Sequence, residues 1–155
     1  MRHRRSTHFV MLAITAHLPI GCDDAGEPAA TATTEVVLDP VTAGEWREGP
    51  TADGTWNVAW RPLVDPIPTL DPFTIEVRVT DPQGGDPPED TIVLVDASMP
   101  HHGHGMNVVP RIGRNDDGWV AEGMLLHMPG RWEFVVDVEH DLDTERAQWT
   151  LMLDQ

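Results

Sequence analysis

The clearest pattern along the chain is an apolar residue at every second position. In "TWNVAW" Trp56, Val58 and Trp60 alternate with Asn57 and Ala59; in "FTIEVRV" Phe73, Ile75, Val77 and Val79 alternate with Thr74, Glu76 and Arg78. A period of two puts one set of side chains on each face of a strand, so both segments read as half-buried β-strands. Five further segments follow: "TIVLVDA" (91–97), "MNVVPRI" (106–112), "GWVAEGMLLHM" (118–128), "RWEFVVDVEH" (131–140) and "RAQWTLML" (146–153). Turn clusters separate them, among them "DPQGGDPPED", "GRNDDG", "MPG" and "DLDT". Their Gly, Pro, Asn and Asp favour backbone reversals. The "PLVDPIPTLDPF" stretch carries four prolines, each lacking an N–H donor, and so is read as a connection and not as a central strand.

No segment of helical length carries an apolar stripe at 3.6-residue spacing. About seven short strands in a single domain predict an all-β protein, an immunoglobulin-like β-sandwich, with a barrel as the competing architecture. Trp56, Trp60, Trp132 and Trp149 fall on the apolar side of their strands and are expected in the core, whereas Trp46 lies outside the pattern and is expected to be exposed.

Ahead of the strands the composition changes. "MRHRRSTHFVMLAITAHLPIGCDD" has a basic head of Arg2, Arg4 and Arg5, a 12-residue apolar run from Phe9 to Ile20, and then Gly21 and Cys22. The run falls short of the roughly 20 residues a membrane span needs, and the order is that of an export signal. Residues 1–21 are therefore expected to be a lipoprotein-type signal peptide. Gly21–Cys22 resembles a lipobox, with Pro19 where leucine is usual, which makes Cys22 the expected lipidation site. Residues 22–50, rich in Ala, Thr, Pro and acidic groups, read as a flexible linker, and 51–155 as the sandwich domain. The expected location is the cell envelope, facing the periplasm, with the membrane as partner through the lipid. Cys22 is the only cysteine, so no intramolecular disulfide forms.

Charge narrows the partners. All 26 acidic residues follow Cys22, seven of the ten basic residues do, and there is no lysine, leaving 7 minus 26, or −19, on the exported part. Such a field repels nucleic acid, which is excluded as a partner.

The candidate chemistry is concentrated in "MPHHGHGM", residues 99–106, which holds His101, His102, His104, Met99 and Met106. A fourth histidine, His127, sits beside Met128 in "GMLLHMPG". Imidazole and thioether donors together suit copper, especially Cu(I); hard cations do not choose sulfur, and zinc gains little from it. If "TIVLVDA" ends near Ser98, this loop lies at a strand tip, and the tip carrying His127 is expected at the same end of the sandwich. One objection is that adjacent side chains on a regular strand face opposite ways, so His127 and Met128 share an ion only if the strand breaks before Pro129. The competing reading makes the methionines core filler and the histidines structural.

His140, among the carboxylates of "VEHDLDTE", is read as a solvated side chain. Asp116 with Asp117, and Glu89 with Asp90, lie in turn clusters without the apolar surroundings that tune an acid or base. No nucleophile elbow, phosphate loop or Cys/His dyad is present, so a non-enzymatic protein is expected.

The residues "MPHHGHGM", "DDGWVAEGMLLHMPGRWEF" and "RAQWTLML" resemble the YtkA-like domain family, related to FixH-type domains, over about residues 52–153. Met99, Pro100, His102, Gly103, His104, Gly105 and Met106 match its first motif; Gly123, Met124, His127, Met128, Pro129, Gly130 and Trp132 match its second. The resemblance implies a small exported or membrane-attached β-sandwich, with a role in metal or respiratory-complex homeostasis. FixH proteins carry a transmembrane helix near the start, where this chain has a signal-like segment. Two functions are therefore expected to compete: a copper-binding envelope lipoprotein that buffers or delivers the ion, and a metal-free accessory module that binds a protein partner in a membrane-associated complex.

Overall fold

A computed structural model describes residues 42–154; the predicted signal peptide, Cys22 and the linker as far as residue 41 lie outside the described residues. Among the described residues nine strands form, in order β1 (Arg47–Pro50), β2 (Asn57–Pro62), β3 (Phe73–Thr80), β4 (Ile92–Met99), β5 (His104–Gly105), β6 (Arg111–Asn115), β7 (Gly118–Met124), β8 (Gly130–His140) and β9 (Asp143–Leu153). No helix occurs among the described residues, and none is therefore long and apolar enough to cross a membrane.

The strands make two antiparallel sheets, one ordered β1-β2-β3-β7-β6 and the other β5-β4-β8-β9. No β-ladder joins them, so the protein is the predicted sandwich and not a barrel. The inward face of each strand supplies the core. Trp60, Trp132, Phe134, Ile75, Met99, Met124 and Leu126 are almost fully enclosed, and the Trp60 ring lies 4.1 Å from that of Phe134. Trp56 and Trp119 are buried as well, while Trp149 is half-buried with its ring against the bare backbone of Gly49. Trp46 is not exposed as expected. Its ring is covered by the guanidinium groups of Arg61 and Arg78, 4.6 and 4.3 Å from the centroid, a cation–π stack on the outer face.

Several boundaries differ from the sequence reading: β4 runs on to Met99, β5 forms within the predicted loop and β9 starts at Asp143, inside a predicted turn; three more have local causes. β1, placed in the linker, pairs with β2 from Arg47↔Trp60 to Pro50↔Asn57, and the backbone bonds Gly44 N–H to Pro62 O and Asp65 N–H to Thr42 O tie the preceding residues to the same edge. Its four residues, none of them fully buried, are too few to show an apolar alternation. "MNVVPRI" is a strand only from Arg111: Pro110 lacks the N–H a ladder needs, and Val109 ahead of it is 95% exposed. The strand from Gly118 stops at Met124, four residues early. There Gly123, at φ +82°, is skipped in the register between Thr74↔Glu122 and Phe73↔Met124, a bulge that ends the pairing.

That early stop positions the candidate site. Residues 125–129 leave β7 in one sheet and cross to β8 in the other, at the end of the sandwich where β4 turns into β5.

Candidate metal site at the sandwich rim

The β4–β5 connection is a tight reversal over Pro100–Gly103. His102 N–H and Gly103 N–H both donate to Met99 O, at 2.9 and 3.0 Å, and Gly103 takes φ +69°, a left-handed conformation glycine adopts without a Cβ penalty. Met99 and His104 then face each other across the ladder. Directly opposed residues project to the same side of a sheet, so the inward orientation of Met99 fixes that of His104. His104 thus points from the edge strand towards the gap between the sheets.

His127 arrives from the other sheet. Its two neighbours are pinned: Leu126 is fully buried and its carbonyl accepts from Leu70 N–H at 3.1 Å, while the Met128 carbonyl accepts from Trp132 Nε1–H at 2.9 Å. The Trp132 ring meets His127 edge-on at 5.5 Å. These bonds hold the backbone on either side of His127, and Trp132 packs against its ring.

Folding brings three of the four predicted histidines into a file. Ring centroids are 5.7 Å apart for His102 and His104, and 5.3 Å apart for His104 and His127. His102 is exposed; His104 and His127 are half-buried. An ion held at roughly 2.0–2.1 Å by imidazole nitrogens lies about 3.2 Å from each ring centre, which puts two such rings about 5–6 Å apart. Both spacings fall in that range. Moreover, His104 Nε2 and His127 Nδ1 are buried and have no hydrogen-bond partner among the described residues. A buried imidazole nitrogen without a partner is costly, and a bound ligand removes that cost; in the metal-free protein the ligand atoms of the three rings do not all lie within 4.8 Å of one another.

The remaining predicted donors divide. Met106 and Met128 are half-buried against the core margin, next in chain to the file's own segments. Because β7 ends at Met124, the alternation that set His127 against Met128 does not apply to them. Met99 is 1% exposed and its methyl packs against Gly130, so it is a core residue on the inward face of β4. His101 turns the other way, its Nε2 3.4 Å from Arg131 Nη1 on the exposed face of β8, where a guanidinium opposes a bound cation.

The opposite end of the sandwich holds a group that sequence reasoning missed. His140 is half-buried, not free in solvent: Nδ1 lies 3.5 Å from Asp90 and Nε2 3.5 Å from Asp141. The ligand atoms of these three residues all lie within 4.8 Å of one another. Asp90 and Asp141 are separated by about fifty positions, and only the antiparallel pairing of β4 with β8 joins them. Both carboxylates are largely exposed, while His140 Nδ1 is buried and makes no hydrogen bond among the described residues. Nearby, burial acts to raise the pKa of Glu145, but hydrogen bonds from Thr51 Oγ1 (2.6 Å), Thr55 and the Asp53 backbone outweigh it and hold the carboxyl below its ordinary range.

Comparison with family models, with curated proteins and with solved structures finds no match for this chain.

Proposed function

We propose that this chain is an exported, membrane-anchored β-sandwich that binds copper, as Cu(I), through a rim site of His104 and His127 with thioether help from Met106 or Met128. The observation that carries the reading is the pair of buried, unpartnered nitrogens on two rings 5.3 Å apart, contributed by different sheets. Two borderline nitrogen donors with methionine sulfur within the same two segments favour a soft ion over calcium or magnesium. The role we propose is buffering or delivery of the ion.

The likeness of the two motifs to YtkA-like domains supports an envelope location, with Cys22 as the lipid-bearing residue. A tether of this kind would keep the sandwich near envelope proteins that use copper.

Titration of the purified protein with Cu(I) against a competing chelator tests the proposal. Binding clearly tighter than micromolar is expected, lost when His104 and His127 are both replaced by alanine. Micromolar or weaker binding, or affinity indifferent to those substitutions, removes it.

A further inference from the structure

We infer that the three imidazoles work as a two-position relay: His104 and His127 retain the ion, and His102 is the exposed ligand through which it enters and leaves. The inference rests on the copper reading above and adds the route of exchange.

Its basis is that the ring contacts are sequential. His102 meets His104 at 5.7 Å and His104 meets His127 at 5.3 Å, so His104 belongs to both pairs. Burial follows the same order. His102 stands in solvent on the reversal after β4, whereas His104 Nε2 and His127 Nδ1 are sealed from it. An ion at the inner pair is therefore screened from an incoming donor, and one at the outer pair is open to it. Passage between the two forms a bond to His102 and breaks the one to His127 while His104 stays bound.

The mechanics of the segment suit this division. His127 is fixed by the hydrogen bonds on either side and by Trp132, and His104 by its ladder position opposite Met99. His102 lies in the reversal itself, its backbone N–H bonded to Met99 O and its exposed ring beside that of His104, so its side chain can follow the ion. His101 next to it is drawn to Arg131 on the outer face and cannot take the same part. Cu(I) of low coordination number exchanges ligands by adding a donor before losing one, and an exposed imidazole beside a sealed pair supplies that donor site. The acceptor on the other side is a molecule with soft donors, thiolate or thioether, able to bind while His102 is still attached.

Loss of His102 should thus act on rates and not on affinity. Since uptake and release pass through the same outer pair, both slow by the same factor and the equilibrium is preserved. Stopped-flow transfer of Cu(I) from the loaded protein to excess bathocuproine disulfonate, with separate equilibrium competition, distinguishes the roles. For His102→Ala, and for His102→Asn as a second variant, the dissociation constant stays within about three-fold of the parent while transfer slows about ten-fold or more. His104→Ala weakens binding by at least about 100-fold, and His127→Ala weakens it while speeding release. His101→Ala changes neither quantity. If His102→Ala costs as much affinity as His104→Ala, or leaves transfer as fast as in the parent, the relay is overturned while copper binding stands. A parent protein that fails to bind Cu(I) overturns both.

Discussion

Replacing His104 with leucine should make the metal-free protein more stable. His104 Nε2 is buried with no partner among the described residues, and an unsatisfied buried polar group costs about 1–3 kcal/mol. Leucine fills a comparable volume, tolerates an edge strand, and has no polar atom to leave unpaired. Against the gain stands the loss of ring contacts to His102 and His127, each an exposed or half-exposed stacking worth a fraction of a buried aromatic pair. The net expectation is a gain of about 1–2 kcal/mol, or a rise in Tm of about 4–8 °C per kcal/mol for a domain of this size. The copper response should reverse the order. At a free Cu(I) concentration 100 times the dissociation constant, binding stabilises the parent by about 2.7 kcal/mol and leaves the leucine variant unaffected. Paired thermal and urea unfolding, with and without Cu(I) under reducing conditions, reads both effects. A metal-free variant less stable than the parent would show that His104 serves packing and not a ligand.

Other consequences follow from particular positions. At Gly118, φ is +138° and an added Cβ would come 2.4 Å from Val77 O, so Gly118→Ala should cost at least about 3 kcal/mol, read as a lower urea midpoint at constant slope. Gly54, at φ +75° with no atom within 4 Å of an added Cβ, bears only the conformational penalty, and Gly54→Ala should cost about 1–2 kcal/mol. The carboxyl of Glu145 is held below its ordinary range, so its contribution to stability is present above its unfolded pKa, near about 4.3, and is lost as pH falls through the lower folded value. Glu145→Gln should therefore be less stable than the parent at neutral pH, with the gap closing below about pH 4; a gap that persists in acid contradicts this origin. Finally, Trp132 meets His127 edge-on, so Cu(I) should alter its emission, and Trp132→Phe should abolish most of the change.

The sandwich was legible because its core strands are half-buried: one solvated face and one enclosed face write a period of two into "FTIEVRV" and "RWEFVVDVEH", and turn residues punctuate it. β1 escaped because four edge residues leave too short a record, and the end of β7 escaped because a bulge at Gly123 is a matter of register, which only the partner strand reveals. At the rim, the clustering of histidine and methionine pointed to two segments that the fold brings together. Composition alone did not separate His101 from His102, or Met99 from Met106. Those choices depend on which way a four-residue reversal faces and on the inward phase of β4, which bury Met99 and turn His101 towards Arg131. The pairing of Asp90 with His140 had no local signal at all, since β4 and β8 bring the two together from distant parts of the chain.

The most direct test is the anomalous difference map of a crystal of the protein grown with Cu(I) under reducing conditions. The account predicts a copper peak about 2 Å from both His104 Nε2 and His127 Nδ1, with a methionine sulfur completing the coordination. Copper found only at Asp90, His140 and Asp141, or imidazoles of His104 and His127 turned apart with no density between them, would contradict it.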